Sequence, residues 1–157
     1  MPGTMRFNHM ELTLPIGSLD GTMRSDLRSF YCDVLGWNAM DIPLLGQMTY
    51  YLSPDDGQFI LLAESDKPIQ SPGYDHLGLL LESREEVDEV LEQCLKFQER
   101  DPRMKIKRYD DLVQGPVTAR AFYVKYLLPI YFDIQHLQWQ AGSEPENRWS
   151  YGPARPA

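Results

Sequence analysis

The order β-α-β-β-β of predicted elements occurs twice along the 157 residues, which predicts an α+β domain made of two similar modules. Each module opens with a strand that carries a central histidine, and each contains a helix with a recognisable cap. We expect eight strands in a curved, partly open barrel with both helices on its outer face. Module one covers about 6–64 and module two about 74–139, within a single domain at 1–140 that precedes a tail at 141–157.

The two opening strands have the same alternation of side chains. RFNHMELTL (6–14) and YDHLGLLLE (74–82) each contain apolar residues at every second position, at 10, 12 and 14 and at 77, 79 and 81. Successive side chains of a strand point to opposite faces, so each strand has one face for a core and one for another purpose. The second face carries His9, Glu11 and Thr13 in module one, and Tyr74, His76 and Gly78 in module two.

The helices follow directly after these strands. In module one, Ser25 and Asp26 are predicted to cap a helix over 27–35, and Gly36 is predicted to end it. In module two, Ser83 and Glu86 have the spacing of a capping box, and apolar residues then recur at helical spacing from 87 to 98. This second helix is predicted to end near 100–102.

Three strands are predicted after each helix. They lie at 37–42, 48–53 and 58–64 in module one, and at 104–109, 117–127 and 130–139 in module two. The turn at 54–57 joins the last two strands of module one, and Pro129 stands at the corresponding turn of module two. The histidines His9 and His76 therefore occupy equivalent places in the two modules.

The composition excludes several classes of protein. The net charge of −8 disfavours a nucleic-acid partner, because neutralising phosphates requires a basic surface. Two cysteines without CxxC spacing do not predict a disulfide scaffold or a structural zinc site. No apolar run is long enough to cross a membrane, and the first residues lack the apolar segment of a signal peptide. A cytoplasmic protein is expected.

Two motifs resemble those of a known superfamily. SFYCDVLGW (29–37), after a strand with a central histidine, and the turn SPDDGQFILL (53–62) are similar to motifs of the vicinal-oxygen-chelate proteins, which include glyoxalases, bleomycin-resistance proteins and extradiol dioxygenases. The resemblance extends over about 6–139. It implies the two-module fold, but it leaves the function open because this fold serves many reactions and also metal-free binding.

The resemblance also implies a metal site. In the superfamily, the first and fourth strands of each module provide the ligands, and the matching positions here are His9, His76, Leu61 and Asp133. Leucine cannot bind a metal, so the implied ligands are His9, His76 and Asp133. Two histidines and one carboxylate suit a non-haem Fe(II) that holds substrate and oxygen together, with Mn or Zn as alternatives.

The site pattern is most similar to that of the type I extradiol dioxygenases. These enzymes have a tyrosine ten residues before a glutamate ligand, and here Tyr123 stands ten residues before Asp133. Tyr123 is therefore the candidate catalytic residue. Three features depart from the pattern: Tyr126-Leu127 replaces the Asp-Pro pair of those enzymes, Asp replaces Glu, and 114–116 (Gln-Gly-Pro) stands where they carry an acid/base histidine.

Two functions from different classes follow. The first is a metal-dependent, dioxygenase-like enzyme for a small, oxygen-bearing, aromatic substrate. The second is a metal-free protein that binds a drug or metabolite, as the resistance members do; these members are dimers with sites between subunits, so a homodimer is open here. No nucleic acid or membrane partner is expected.

Each candidate site residue could also have a purely structural role. A histidine on a strand is usually a hydrogen-bonding residue, and Asp133 in an apolar strand could equally be paired or protonated. Glu11 is a further candidate ligand or base, whereas strand parity places His136 on the core face. Trp149 and Tyr151 of the tail are expected to dock weakly on a surface, if at all.

Overall fold

The computed structural model describes residue 3 and residues 5–146. Module one contains β1 (His9–Pro15), α1 (Gly21–Leu27), a π-helical turn (Arg28–Cys32), β2 (Asn38–Leu44), β3 (Gln47–Asp55) and β4 (Gln58–Ser65). Module two contains β5 (His76–Leu80), α2 (Arg84–Arg100), β6 (Lys105–Arg108), β7 (Leu112–Gln114), β8 (Val117–Lys125) and β9 (Tyr131–Trp139). The predictions for Trp149 and Tyr151 lie outside the described residues.

The strands form one sheet in each module, and both sheets have the same topology. The order is β1-β4-β3-β2 in module one and β5-β9-β8-β6 in module two, with β7 paired to β8. The opening strand is parallel to the last strand of its module, and the remaining pairs are antiparallel. The α+β class and the repeated βαβββ order are therefore confirmed. In the described part of the chain no strand pairing joins the two sheets, so the barrel is not closed.

The described part of the chain has one strand more than the eight that the sequence predicts. The short β7 pairs with β8 through a two-residue turn at Gly115 and Pro116, where Gly115 has a φ of +56°. Glycine tolerates this left-handed conformation. Gly-Pro indicates a loop in sequence, but here it forms the tip of a hairpin.

The first helix begins earlier than the sequence predicts. Asp20 is its N-cap, and the Asp20 side chain accepts a hydrogen bond from the backbone N–H of Met23. Ser25 and Asp26, the predicted caps, lie inside the helix, so that prediction was wrong. The second helix agrees with its prediction: Ser83 and Glu86 form the capping box, and the helix ends at Arg100.

The modules share one core, and they meet through their helical sides. The ring of Phe30 in the π-helical turn lies 5.3 Å from that of Phe97 in α2 and 5.4 Å from that of Tyr126. Tyr31 packs edge-on against Phe132 of β9 and donates a hydrogen bond to the Tyr126 carbonyl (2.9 Å). Burial of such aromatic rings contributes strongly to stability. Because Phe132 faces this junction, the neighbouring residue on β9 faces away from it.

Candidate functional site

Three residues of module two meet on the face of its sheet that points away from the shared core. In the strand register, Asp133 of β9 lies between Gly78 of β5 and Tyr123 of β8. His76 starts β5, and its Nε2 is 3.3 Å from the Tyr123 hydroxyl. The structure thus brings together His76, Tyr123 and Asp133, three of the four residues that the sequence singles out.

The hydrogen bonds of His76 fix which ring nitrogen carries the proton. Its Nδ1 is 2.8 Å from the carbonyl oxygen of Tyr74. A carbonyl only accepts, so Nδ1 must donate, and in the neutral ring Nε2 keeps its lone pair. That lone pair is directed at the Tyr123 hydroxyl, which can donate to it. The backbone at Tyr74 therefore orients His76 in the manner of the outer partners that orient metal-binding histidines.

Asp133 is a buried carboxylate with an unused oxygen. Its exposed fraction is 8%, and its Oδ1 has no hydrogen-bond partner among the described residues. Burial raises the pKa of Asp133 above the ordinary value, and the charge of nearby His76 opposes that shift. None of the ion pairs in the described part of the chain includes Asp133. A salt link therefore does not explain this carboxylate.

Tyr123 remains protonated at neutral pH. Burial raises the pKa of Tyr123 to about 12, and the negative charge of Asp133 across the strand pair adds to the shift. The phenol is therefore a hydrogen-bond donor in this site and not a base. It can donate to His76 or, if His76 is engaged elsewhere, to an oxygen of a ligand.

The corresponding face of module one is mostly apolar and aromatic. His9 stacks on Phe59 with the ring planes 3° apart, and Phe59 stacks in turn on Tyr51. The Nδ1 of His9 is 2.8 Å from the side-chain oxygen of Asn8, whose amide nitrogen donates to the Gly57 carbonyl. As in His76, Nδ1 is thus the donor and Nε2 keeps its lone pair.

The fourth ligand position that the resemblance implies is apolar here. Leu61 is 7% exposed and lies between Glu11 of β1 and Tyr51 of β3 in the register. Glu11 is exposed on the same face as His9. The linker between the modules approaches this sheet, because the backbone N–H of Ile69 donates to the Thr13 hydroxyl.

The two histidines belong to separate faces. Within residues 3 and 5–146, no group of three His, Cys, Asp or Glu side chains is close enough to hold a metal ion. His76 and Asp133 are neighbours, but His9 lies on the sheet of the other module. Within one chain, His76 and Asp133 therefore form a pair of predicted ligands, and His9 lies apart from them.

Sequence reasoning missed several residues around this face. Lys107 and Tyr109 flank Tyr123 from the β6 side, with the Tyr109 ring 4.8 Å from that of Tyr123. Gln135 lies over Gly78, since a Cβ at Gly78 would be 2.9 Å from its Nε2. Alternation along 104–109 could have indicated Lys107, but the approach of Gln135 depends on the register of β5 and β9. For His136, predicted to lie off the site, the Nδ1 is 3.2 Å from the Leu81 carbonyl oxygen.

Several solved structures have the same fold as this chain. A glyoxalase family protein from Bacillus anthracis aligns with a TM-score of 0.61 at 15% identity, over 88% of this chain and all of that one. A glyoxalase/bleomycin resistance protein/dioxygenase from Nocardioides aligns with a TM-score of 0.58 at 14% identity, over 95% of this chain and 93% of its own. The fosfomycin resistance protein FosX from Listeria monocytogenes, in complex with Mn(II) and a dihydroxypropylphosphonic acid, has a TM-score of 0.56 at 16% identity, over 84% and 92%.

These similarities confirm the vicinal-oxygen-chelate fold that the sequence predicts. No protein-family model matches the sequence, and a search of curated proteins found no match. At these identities the likeness concerns the fold alone. In the described part of the chain, no helix is long and apolar enough to cross a membrane.

Proposed function

We propose that this protein is a metal-dependent, dioxygenase-like enzyme whose metal is held by His76 and Asp133 of one chain and by His9 of a second copy. The metal would be Fe(II), with Mn or Zn as alternatives, and the substrate a small aromatic molecule with two adjacent oxygens. The observation that carries the proposal is chemical. On strand faces that point away from the core, Oδ1 of Asp133 has no partner among the described residues, and both histidines keep the lone pair of Nε2, which in His76 faces the Tyr123 hydroxyl.

The donor set fits a first-row divalent metal. Both histidines have Nδ1 engaged as a donor, which leaves Nε2 available for a metal. The unpartnered Oδ1 of Asp133 costs free energy where it is buried, and a cation would offset this cost. FosX, which has the same fold, binds Mn(II), and this supports a divalent metal.

A homodimer would complete the site. The modules of one chain meet through their helical sides, so His9 and His76 both point away from the shared core. Large apolar side chains are exposed near these faces: Met5, Phe7, Met40 and Leu80, among which Phe7 is 93% exposed. Apolar residues of this kind are typical of homodimer interfaces. A two-fold axis would bring module one of each copy to module two of the other.

The residues around the metal position fit the handling of a flat, oxygen-bearing molecule. A bound metal ion would polarise two vicinal oxygens of the substrate. Tyr123, protonated because its pKa is about 12, would donate a hydrogen bond to one of these oxygens. Phe59 and Tyr51 would form the apolar wall against which the ring of the substrate packs.

Metal binding by the purified full chain tests the proposal. Fe(II) or Mn(II) is added anaerobically to chelator-treated protein, and bound metal is measured after gel filtration. We expect about one ion per chain, and His76→Ala should lower the affinity by at least about tenfold. His136→Ala is the matched control, since its ring lies off the site and should not alter the affinity. Absence of bound metal together with an unchanged melting temperature would overturn the proposal.

The alternative is a metal-free protein that binds a small molecule. Buried Leu61 at the fourth ligand position and the Gln-Gly-Pro sequence in place of an acid/base histidine favour it. Under this alternative, an aromatic ligand would bind equally well to chelator-treated wild type and to His76→Ala, and no ligand would be turned over.

A further inference from the structure

Three lysines lie together on the site face of module two. Lys105 and Lys107 of β6 stand opposite Lys125 and Tyr123 of β8, respectively. Directly opposed residues of an antiparallel pair share a face, and the register places all three lysines on the face of Asp133. In a chain of net charge −8, this cluster is a local concentration of positive charge.

The cluster has no ion-pair partner in the described part of the chain. Its lysines take part in none of the six ion pairs there. Like charges directly opposite each other destabilise a strand pair, as Lys105 and Lys125 do here. Burial and the neighbouring Lys105 both lower the pKa of Lys125. An anion bound between the amines of Lys105 and Lys125 would relieve this repulsion.

Aromatic rings contact the amines of two of the three lysines. The Nζ of Lys107 lies 3.7 Å from the centroid of the Tyr74 ring and 5.2 Å from that of Tyr109. The Nζ of Lys125 lies 5.2 Å from the centroid of the Tyr131 ring. These cation–π contacts orient the amines while leaving their N–H groups free for an acceptor.

The distance between the lysine cluster and the proposed metal position is about the length of a small molecule. Tyr123 connects the two, since it is paired with Lys107 on one side and contacts His76 on the other. Asp133 lies two strands from β6, which corresponds to roughly 10 Å at about 4.8 Å per strand. A ligand held by vicinal oxygens at His76 and Asp133 could therefore reach the lysines with its far end.

We infer that Lys105, Lys107 and Lys125 form an anion subsite, and that the substrate is a small aromatic molecule carrying a carboxylate or phosphate group at the end opposite its vicinal oxygens. The inference rests on the proposed function for the role of the ligand. The anion subsite itself requires no metal, so it can be tested separately.

The test is calorimetric titration of chelator-treated full chain at low ionic strength with benzoate, phenyl phosphate and neutral benzyl alcohol. We expect one or both anions to bind with millimolar or better affinity and benzyl alcohol to bind at least about fivefold more weakly. Tighter binding of benzoate would assign the carboxylate, and tighter binding of phenyl phosphate would assign the phosphate. Added salt should weaken anion binding, because exposed charges are screened.

Charge variants show whether the lysines are responsible. Lys107→Gln and Lys125→Gln should each weaken anion binding by at least about fivefold, and Lys125→Arg should retain it because the charge is kept. Lys96→Gln is the matched control, since Lys96 lies exposed on α2 in an ion pair with Glu92. Undetectable anion binding, equal binding of benzyl alcohol, or equal effects of Lys96→Gln and Lys107→Gln would overturn the inference. Loss of metal binding alone would overturn only the proposed function.

Discussion

The Nε2 of His76 and the hydroxyl of Tyr123 are 3.3 Å apart, and the Tyr74 carbonyl requires that Nδ1 of the same ring be the donor. The phenol of Tyr123 and a metal ion would therefore compete for one lone pair. When a metal takes that lone pair, the Tyr123 hydroxyl becomes free to donate to another acceptor. Metal binding would in this way make the Tyr123 hydroxyl available as a hydrogen-bond donor to a substrate oxygen.

Substitution of Tyr123 should strengthen metal binding rather than weaken it. In Tyr123→Phe a metal no longer displaces a hydrogen bond, whose net contribution is about 1 kcal/mol. The dissociation constant for Mn(II), measured by calorimetry, should fall up to about fivefold. A matched His76→Ala titration should move in the opposite direction. A weaker affinity in Tyr123→Phe would instead identify the phenol as a ligand or as a support of the site.

Subunit mixing should reveal a site shared between two chains. His9→Ala and His76→Ala homodimers would each lack one ligand at both sites. After exchange of subunits, every mixed dimer has one site with all ligands and one with neither histidine, so about a quarter of all sites should be intact. Tight metal binding should reappear on mixing and be absent from each variant alone. No recovery after verified exchange would place all three ligands in one chain or remove the shared site.

Asp133 should reduce the stability of the metal-free fold at neutral pH. Its pKa is raised by burial, so the folded state binds the proton more tightly than the unfolded chain does. The free energy of unfolding therefore falls as the pH rises from about 4 through the raised pKa, and then stays level. Asp133→Asn abolishes this titration, so the variant should gain stability relative to wild type over that window.

Urea unfolding of chelator-treated protein across this pH range measures the effect. Asp110→Asn is a suitable control, because Asp110 is an exposed carboxylate in the turn before β7. A variant that is less stable than wild type at neutral pH would mean that the Asp133 charge supports the fold. In that case its place in the site would be structural.

Most of the fold can be predicted from local patterns in the sequence. The two modules are predicted by the period-two alternation along 6–14 and 74–82. Helix α2 is predicted by the capping box of Ser83 and Glu86. The start of α1 was misplaced because Asp20, Ser25 and Asp26 are all good N-caps, and only the chain geometry selects Asp20. Local propensity does not distinguish between such neighbours.

The candidate site was predictable only in part. The repeat and the alternation along 74–82 indicate His76, whereas Tyr123 and Asp133 were found through the resemblance to the extradiol dioxygenases. The approach of Lys107 to Tyr74, in contrast, depends on how β5, β6 and β8 align across the sheet. The separation of His9 from His76 depends on which sides of the modules pack together, and no local pattern encodes this.

The junction between the modules includes an ionic network that should make stability depend on pH. Arg103 contacts Asp26 of α1 at 3.0 Å and Asp101 at 2.6 Å, and the Tyr126 hydroxyl donates to the same Asp101 oxygen at 2.7 Å. Arg103 holds the pKa of Asp101 well below its usual range. The stabilisation is therefore complete above the ordinary carboxyl pKa of about 4 and is lost as the pH falls through the lowered value.

Arg103→Gln should therefore destabilise the protein at neutral pH and have less effect in acid. The network is partly exposed, so we expect a loss of about 1 kcal/mol in the free energy of unfolding at pH 7. Urea unfolding at about pH 7 and about pH 3 measures the difference, which should shrink at the lower pH because Asp101 takes up a proton there in the unfolded chain but not in the folded protein. Arg108→Gln is the control and should change stability little at either pH, because Arg108 is exposed at the end of β6. An equal loss at both values would contradict the ionic account and would point to packing of the Arg103 side chain over the Tyr126 ring, 5.7 Å from its centroid.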